Sequence, residues 1–146
     1  MMKFDPFCNK DILNNAFYLT ESTMAVYDIK PVLPGHSLLI PRRHVADITA
    51  LEKNEVVDIF DTLNTIKPVI FKLYNADSYD FTAQVGEYSG MTVPHLHFHF
   101  IPRNEKDKFQ TDNNSVYEGI EHSKQISPTE MSRNVELLRK ELNWSH

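Results

Sequence analysis

Cysteine is nearly absent: Cys8 is the only one in 146 residues. No disulfide can close within the chain, which fits a reducing compartment and points to the cytoplasm. Long apolar runs are missing as well. Nothing approaches the roughly 20 residues that a bilayer-spanning helix needs, so membrane insertion is not expected. The stretch from Met1 to Lys10 has two lysines and no apolar run of signal-peptide length, so export is not expected either. Basic charge is scarce too, with 15 lysines and arginines against 20 acidic residues and a formal charge of -5. Affinity for a nucleic-acid backbone comes from many cations displacing counterions, so broad binding to DNA or RNA is not expected, while a local cluster of donors can still hold a small anion. The chain also lacks internal repeats, heptads, low-complexity tracts and any compositional shift that marks a linker. Residues 1–146 therefore read as one domain, of a size that buries about two thirds of its unfolded surface.

Two kinds of periodicity are present. Ala16 to Leu19 and Thr23 to Asp28 are short apolar runs joined across Glu21-Ser22, a plausible hairpin. A third strand, Ser37 to Ile40, follows the turn-forming Pro34-Gly35 and stops at Pro41, which has no amide for a continuing ladder. Thr49-Ala50-Leu51-Glu52 has the form of a capping box. Behind it Val56, Ile59, Phe60, Leu63, Ile66, Ile70 and Leu73 recur at helical spacing, with Pro68 predicting a kink or an end near Ile66. A fourth strand is expected over Phe81 to Val85 and a fifth over His95 to Ile101, closed by Pro102. Residues 104–126 are polar and unpatterned, a loop long enough to suggest function. Ser127-Pro128-Thr129-Glu130 opens a last helix carrying Met131, Val135, Leu138 and Leu142 on one face. The order predicts an α+β domain with a five-stranded antiparallel sheet and two helices.

In an extended strand alternate side chains share a face, so His95, His97 and His99 point one way and Leu96, Phe98 and Phe100 the other. Three imidazoles in a row fill a core poorly, since each has a polar nitrogen that needs a partner when buried. Two chemistries remain open from the residues alone. The histidines can ligate a metal with help from His36, His44, His122 or carboxylates. Alternatively one neutral imidazole attacks a phosphoryl centre while its neighbours orient it or protonate the leaving oxygen, a task suited to a pKa of about 6.5.

His95-Leu96-His97-Phe98-His99-Phe100-Ile101-Pro102-Arg103 resembles the signature of the histidine triad superfamily. The run Asp28-Ile29-Lys30-Pro31-Val32-Leu33-Pro34-Gly35-His36-Ser37-Leu38-Leu39-Ile40-Pro41 resembles the strand, turn and strand that hold a nucleoside ribose there and supply a fourth histidine. Within the superfamily the chain is most similar to the fragile histidine triad branch, the dinucleoside triphosphate hydrolases. Gln84 lies eleven residues before His95, where that branch has a phosphate-contacting glutamine. Gly90-Met91-Thr92-Val93 resembles its loop before the triad, Asp107 to Tyr117 with Asn114-Ser115-Val116-Tyr117 its tyrosine-bearing loop, and Glu130-Met131 with Leu138-Arg139 its last helix.

The resemblance implies that His97 attacks the α-phosphate to form a nucleotidyl-histidine that water hydrolyses, that His99 meets the leaving oxygen, and that His95 and His36 orient and polarise the site. Asp28, Gln84, Gly90, Met91, Thr92 and Val93 are the implied substrate contacts, and Phe7, Ile12 and Val26 form an apolar slot for a base, although core packing is the simpler account of Val26. No metal is implied in the nucleophilic step; magnesium or a similar divalent cation accompanies the substrate phosphates. The implied assembly is a homodimer whose sheets join into a larger one. The chain departs from the branch in three places: Met91 stands for a second glutamine, Asp28 for an asparagine, and Pro94 precedes the triad. Cys8 resembles half of the paired-cysteine zinc motif of other branches; with no second cysteine, structural zinc is not expected. Arg42 and Arg43 read as a solvated turn, and His44, His122 and His146 as surface residues.

Overall fold

The computed structural model describes residues 5–110 and 116–144. Strands β1 (Ala16–Leu19), β2 (Thr23–Tyr27), β3 (Ser37–Pro41), β4 (Ser78–Thr82) and β5 (Phe98–Arg103) form one antiparallel sheet in the order β1-β2-β3-β5-β4. Helices α1 (Lys53–Tyr74) and α3 (Pro128–Leu142) cover one face. Alternation along the strands sorts the side chains between faces. Phe17, Ala25, Tyr27, Leu39 and Phe100 enter the core beneath Ile59, Leu63, Ile66 and Ile70 of α1 and Met131, Val135 and Leu138 of α3. On the opposite face Ala16, Val26, Leu38, His99 and Thr82 stand in one register row across all five strands. The site is built on that second face.

The hairpin, β3 and α3 lie where the sequence places them, and Ser127 caps α3 by accepting the Glu130 N–H at 3.1 Å. Several expectations need correction. Helix α1 starts at Lys53 and not behind Thr49, because Asp47 caps a separate 3-10 turn over Ile48–Ala50 and Glu55 accepts the Glu52 N–H at 2.9 Å. Arg43 bonds to both Glu55 and the Ala50 carbonyl, so it clamps this junction instead of decorating a solvated turn. Pro68 does not end α1. Burial of Ile66 and Ile70 on either side offsets the lost backbone bond, and the helix continues to Tyr74, where Asn75 turns left-handed at φ 53°.

Strand β4 begins and ends three residues before the expected Phe81 to Val85, because it pairs with β5 from Ser78↔Arg103 to Thr82↔His99. Strand β5 begins at Phe98, not His95. Upstream, His95 to His97 runs outside the ladder and is fixed by the Leu96 N–H to the Val45 carbonyl at 2.7 Å. Pro102 lies inside β5, where β3 has already stopped pairing at Phe100, so no partner on that side needs its amide.

The segment read as unpatterned contains a third helix, α2 (Val116–His122), so the chain has three α-helices among the described residues. Val116 and Ile120 of α2, with Phe109, pack on Val32, Leu33 and Ile101. Tyr117 lies on α2 and is about half exposed, while Asn114 and Ser115 fall outside the described residues.

Candidate active site

Hydrogen bonds to backbone fix the tautomers of the triad, since an amide can only donate and a carbonyl can only accept. The Nδ1 of His97 lies 2.9 Å from the His95 carbonyl and must carry a proton, which leaves Nε2 with its lone pair. The Nδ1 of His36 receives the Val32 N–H at 3.0 Å, so its proton is on Nε2. That Nε2–H faces His99 Nδ1 at 2.9 Å, and His99 in turn carries its proton on Nε2. Two bare imidazoles thus present opposite chemistry: His97 offers a lone pair and His99 an N–H. Their rings meet edge to face, centroids 5.1 Å apart.

Burial depresses all three of these imidazoles. His36 is driven down to about 3, by desolvation first and by His97 second. His97 and His99 are also pushed down, mainly by desolvation, with Asp28 opposing in both cases. Neutral imidazoles result, and a neutral imidazole is the nucleophilic form. Asp28, just past β2, has its carboxyl raised by burial; it accepts the Lys30 N–H at 2.8 Å and sits 3.3 Å from His36 Nε2. Asp28, His36 and His99 are close enough to hold an ion together, but the His36–His99 hydrogen bond already fills the space between them.

His95 is set apart. Its Nε2–H donates to the Pro41 carbonyl at 2.7 Å, and its Nδ1 turns away from the triad, 2.8 Å from Asp5 Oδ2. The same oxygen lies 2.6 Å from His44 Nδ1 and 3.0 Å from Cys8 Sγ. Burial pushes Asp5 up, yet bonds from Cys8, His95 and the Phe7 amide outweigh it and hold the carboxyl at about 2. Bonding to Asp5 raises the Cys8 thiol to about 11. His44, expected as an isolated surface residue, is therefore part of a four-donor cluster. Asp5 was not singled out in the sequence: it lies 90 residues from His95, and its only signal is its place three residues before Cys8. Two imidazole nitrogens, a thiol and a carboxylate within 4.8 Å of one another suit a borderline divalent ion such as zinc. The Pro41 bond to the far nitrogen of His95 is the outer-shell contact such a ligand needs.

Other predicted site residues form two groups. The Phe7 ring lies edge-on to His97 and His95, centroids 5.0 and 5.8 Å away. Phe7 and Ile12 pack with Val26, which is fully buried beneath them. Beyond β4, Gln84 lies against Gly90, whose Cβ position is 2.8 Å from the Gln84 amide nitrogen, and Met91 Sδ accepts the Gly86 N–H at 3.4 Å. The structure thus groups Gln84, Gly90 and Met91; Val93 is half-buried and Thr92 exposed in the segment between them and His95. His122 is exposed at the end of α2, and His146 lies outside the described residues.

A sheet whose face opposite α1 and α3 carries a backbone-locked imidazole lone pair beside an imidazole N–H defines a histidine-based site. The particular family is that of the HIT domain, whose model matches residues 9–106, and the chain belongs to it. The chain is 38% identical over 110 residues to the bis(5'-adenosyl)-triphosphatase of Dictyostelium discoideum, covering 75% of this chain and 72% of the relative. It is 37% identical over 108 residues to the asymmetrical bis(5'-nucleosyl)-tetraphosphatase of Schizosaccharomyces pombe, covering 74% of this chain but only 58% of that protein's length. These relatives place it in the branch of the dinucleoside polyphosphate hydrolases. Among solved structures, a zinc-bound histidine triad family protein from Mycobacterium smegmatis superposes with a TM-score of 0.67 at 25% identity, over 88% of this chain and 83% of that one.

Proposed function

We propose that the chain hydrolyses dinucleoside polyphosphates, such as diadenosine tri- or tetraphosphate, to a nucleoside monophosphate and the remaining nucleotide. The observation that carries this reading is the His97 Nδ1–H bond to the His95 carbonyl, which commits Nε2 to act as a nucleophile. As the Nε2 bond to the α-phosphorus forms, the bridging P–O bond breaks and the remaining nucleotide leaves as an anion whose oxygen accepts a hydrogen bond from the His99 Nε2–H. Water then attacks phosphorus, the P–N bond breaks with its electron pair returning to His97 Nε2, and the monophosphate is freed as the proton of the attacking water passes to solvent. Before substrate binds, His36 keeps His99 in its donor tautomer, and His95 supplies the carbonyl that orients His97.

Asp28 accepts from ribose hydroxyls, while Gln84, Gly90, Met91, Thr92 and Val93 follow the phosphates. Phe7 and Val26 bound the base. No metal takes part in the nucleophilic step, and magnesium or a similar divalent cation neutralises the polyphosphate. Mass spectrometry of a quenched turnover is expected to find the nucleotidyl adduct on His97. His97→Ala is expected to lose roughly 10⁴-fold or more in kcat while still binding a nonhydrolysable analogue. An adduct on any other side chain overturns the mechanism. Cleavage of the P–N bond of adenosine phosphoramidate in strong preference to diadenosine triphosphate reassigns the substrate to a phosphoramidate.

A second reading, carried by the converging donors of Asp5, Cys8, His44 and His95, is that these residues hold a structural zinc ion. Metal analysis of the purified chain tests it: about one zinc per chain is expected, lost in Asp5→Ala. Absence of zinc after growth in zinc-supplemented medium refutes it. The chain acts in the cytoplasm as a homodimer. Support comes from Val57 and Phe60, each more than half exposed on α1, and from the unpaired edge of β4, where Tyr79 is 39% exposed. Sedimentation of a monomer at micromolar concentration would count against the dimer.

A further inference from the structure

The proton on His36 Nε2 has two acceptors. It lies 2.9 Å from His99 Nδ1 and 3.3 Å from Asp28 Oδ2. The Val32 amide keeps the other nitrogen of His36 deprotonated, so no second proton comes from that side. Asp28 is held in place by the Lys30 amide on Oδ1, which leaves Oδ2 free to face the two imidazoles. The charged and titratable groups around this carboxyl are Lys30, His36, His97 and His99.

Consider a proton arriving at His99 Nδ1. Two N–H groups would then face each other at 2.9 Å, an arrangement that costs a lost hydrogen bond and a like-dipole clash. Among the described residues the acceptor within reach of the displaced His36 N–H is Asp28 Oδ2, and its negative charge compensates the imidazolium so formed. An asparagine there offers an oxygen acceptor but no charge.

We propose that Asp28 is a positioning residue through which the His36–His99 pair takes up one proton when a polyphosphate binds, so that His99 enters the reaction as an imidazolium. This rests on the reading of His99 as the group that meets the leaving oxygen. The anionic ligand supplies the driving field, and Asp28 supplies the place for the displaced N–H. His99 gives its Nε2 proton to the leaving oxygen as the His97–phosphorus bond forms and the P–O bond breaks, and remains neutral with its proton on Nδ1. In the second half it accepts a proton at Nε2 from the attacking water as the P–N bond breaks. Protons therefore balance over each turnover, and the His36 N–H stays on Asp28 throughout.

The experiment is calorimetric titration at pH 7 with diadenosine triphosphate in which methylene groups replace the bridging oxygens, repeated in buffers of different ionisation enthalpy. The dependence on buffer enthalpy gives protons bound per ligand, a count that does not change when affinity does. The wild-type chain is expected to take up about one proton, Asp28→Asn close to none, and Asp28→Glu about one again. In turnover, Asp28→Asn is expected to lose kcat on diadenosine triphosphate far more than on the 4-nitrophenyl ester of AMP, whose leaving group needs no acid. No proton uptake in the wild type, or equal uptake in wild type and Asp28→Asn, overturns the proposal. A His99→Ala chain that keeps full kcat on diadenosine triphosphate overturns the underlying reading of His99 instead. An impaired His99→Ala together with equal proton counts rejects the role of Asp28 alone.

Discussion

Replacing Gly35 with alanine tests whether the turn that delivers His36 is held by close packing. Gly35 has φ +91°, and a Cβ there would sit 2.8 Å from Pro102 Cγ and 2.8 and 2.9 Å from Tyr74 Cδ2 and Cγ. These ring atoms are hard to move. The Tyr74 hydroxyl is tied to Asn134 at 2.7 Å, and Pro102 is built into β5. A left-handed backbone costs an L-residue about 1–2 kcal/mol, and overpacking a filled interior costs about 1–3 kcal/mol more. The sum is about 2–5 kcal/mol. For a chain of this size that lowers the melting temperature by roughly 10 °C. Urea unfolding followed by tryptophan fluorescence and circular dichroism should show a lower midpoint with an unchanged slope, since the exposed area does not change. The Gly35 amide also donates to the Tyr27 hydroxyl at 2.9 Å, so the strain is passed to the strand beneath His36. A loss below about 0.5 kcal/mol, the range of ordinary surface substitutions, would refute the reasoning.

Two further outcomes are expected. Asp107 sits under Arg103 at 2.8 Å and accepts the Asn104 and Phe109 amides; these bonds outweigh burial and hold its carboxyl below the usual range. A depressed folded pKa stabilises above the unfolded value and is lost as pH falls through the folded one. Asp107→Asn should therefore be less stable than wild type by about 2 kcal/mol near neutrality, with the gap closing below pH 4; a gap independent of pH in acid titrations monitored by circular dichroism would contradict the charge argument. Met91→Gln restores a polar side chain at the phosphate approach and should improve kcat/KM for diadenosine triphosphate about fivefold, the value of one added hydrogen bond. Unchanged kinetics would show that Met91 does not face the phosphates.

The parts legible in the sequence were those that local rules determine. The hairpin, β3 and α3 follow from alternation, Pro-Gly chemistry and the Ser127 cap, and the triad from its spacing. Pro68 misled because tertiary burial of Ile66 and Ile70 outweighs a local break. Helix α2 escaped because its contacts, Val116 and Ile120 against Val32 and Ile101, are a pair of apolar residues amid polar ones, and such a short pattern carries little signal. The strand boundary at Phe98 was set by where β3 and β4 stop pairing, which alternation cannot report. The cluster joins Asp5 and Cys8 to His44 and His95 across 36 to 90 positions, visible only once the chain is folded.

The placement of Phe7 has a practical side. The aromatic edge beside His97 is tethered two residues upstream by Asp5, at the back of the triad. A label attached just ahead of Asp5 would tug on that tether. A label following α3 would instead pull on a helix across the sheet from His97, and so leaves the ring contact undisturbed.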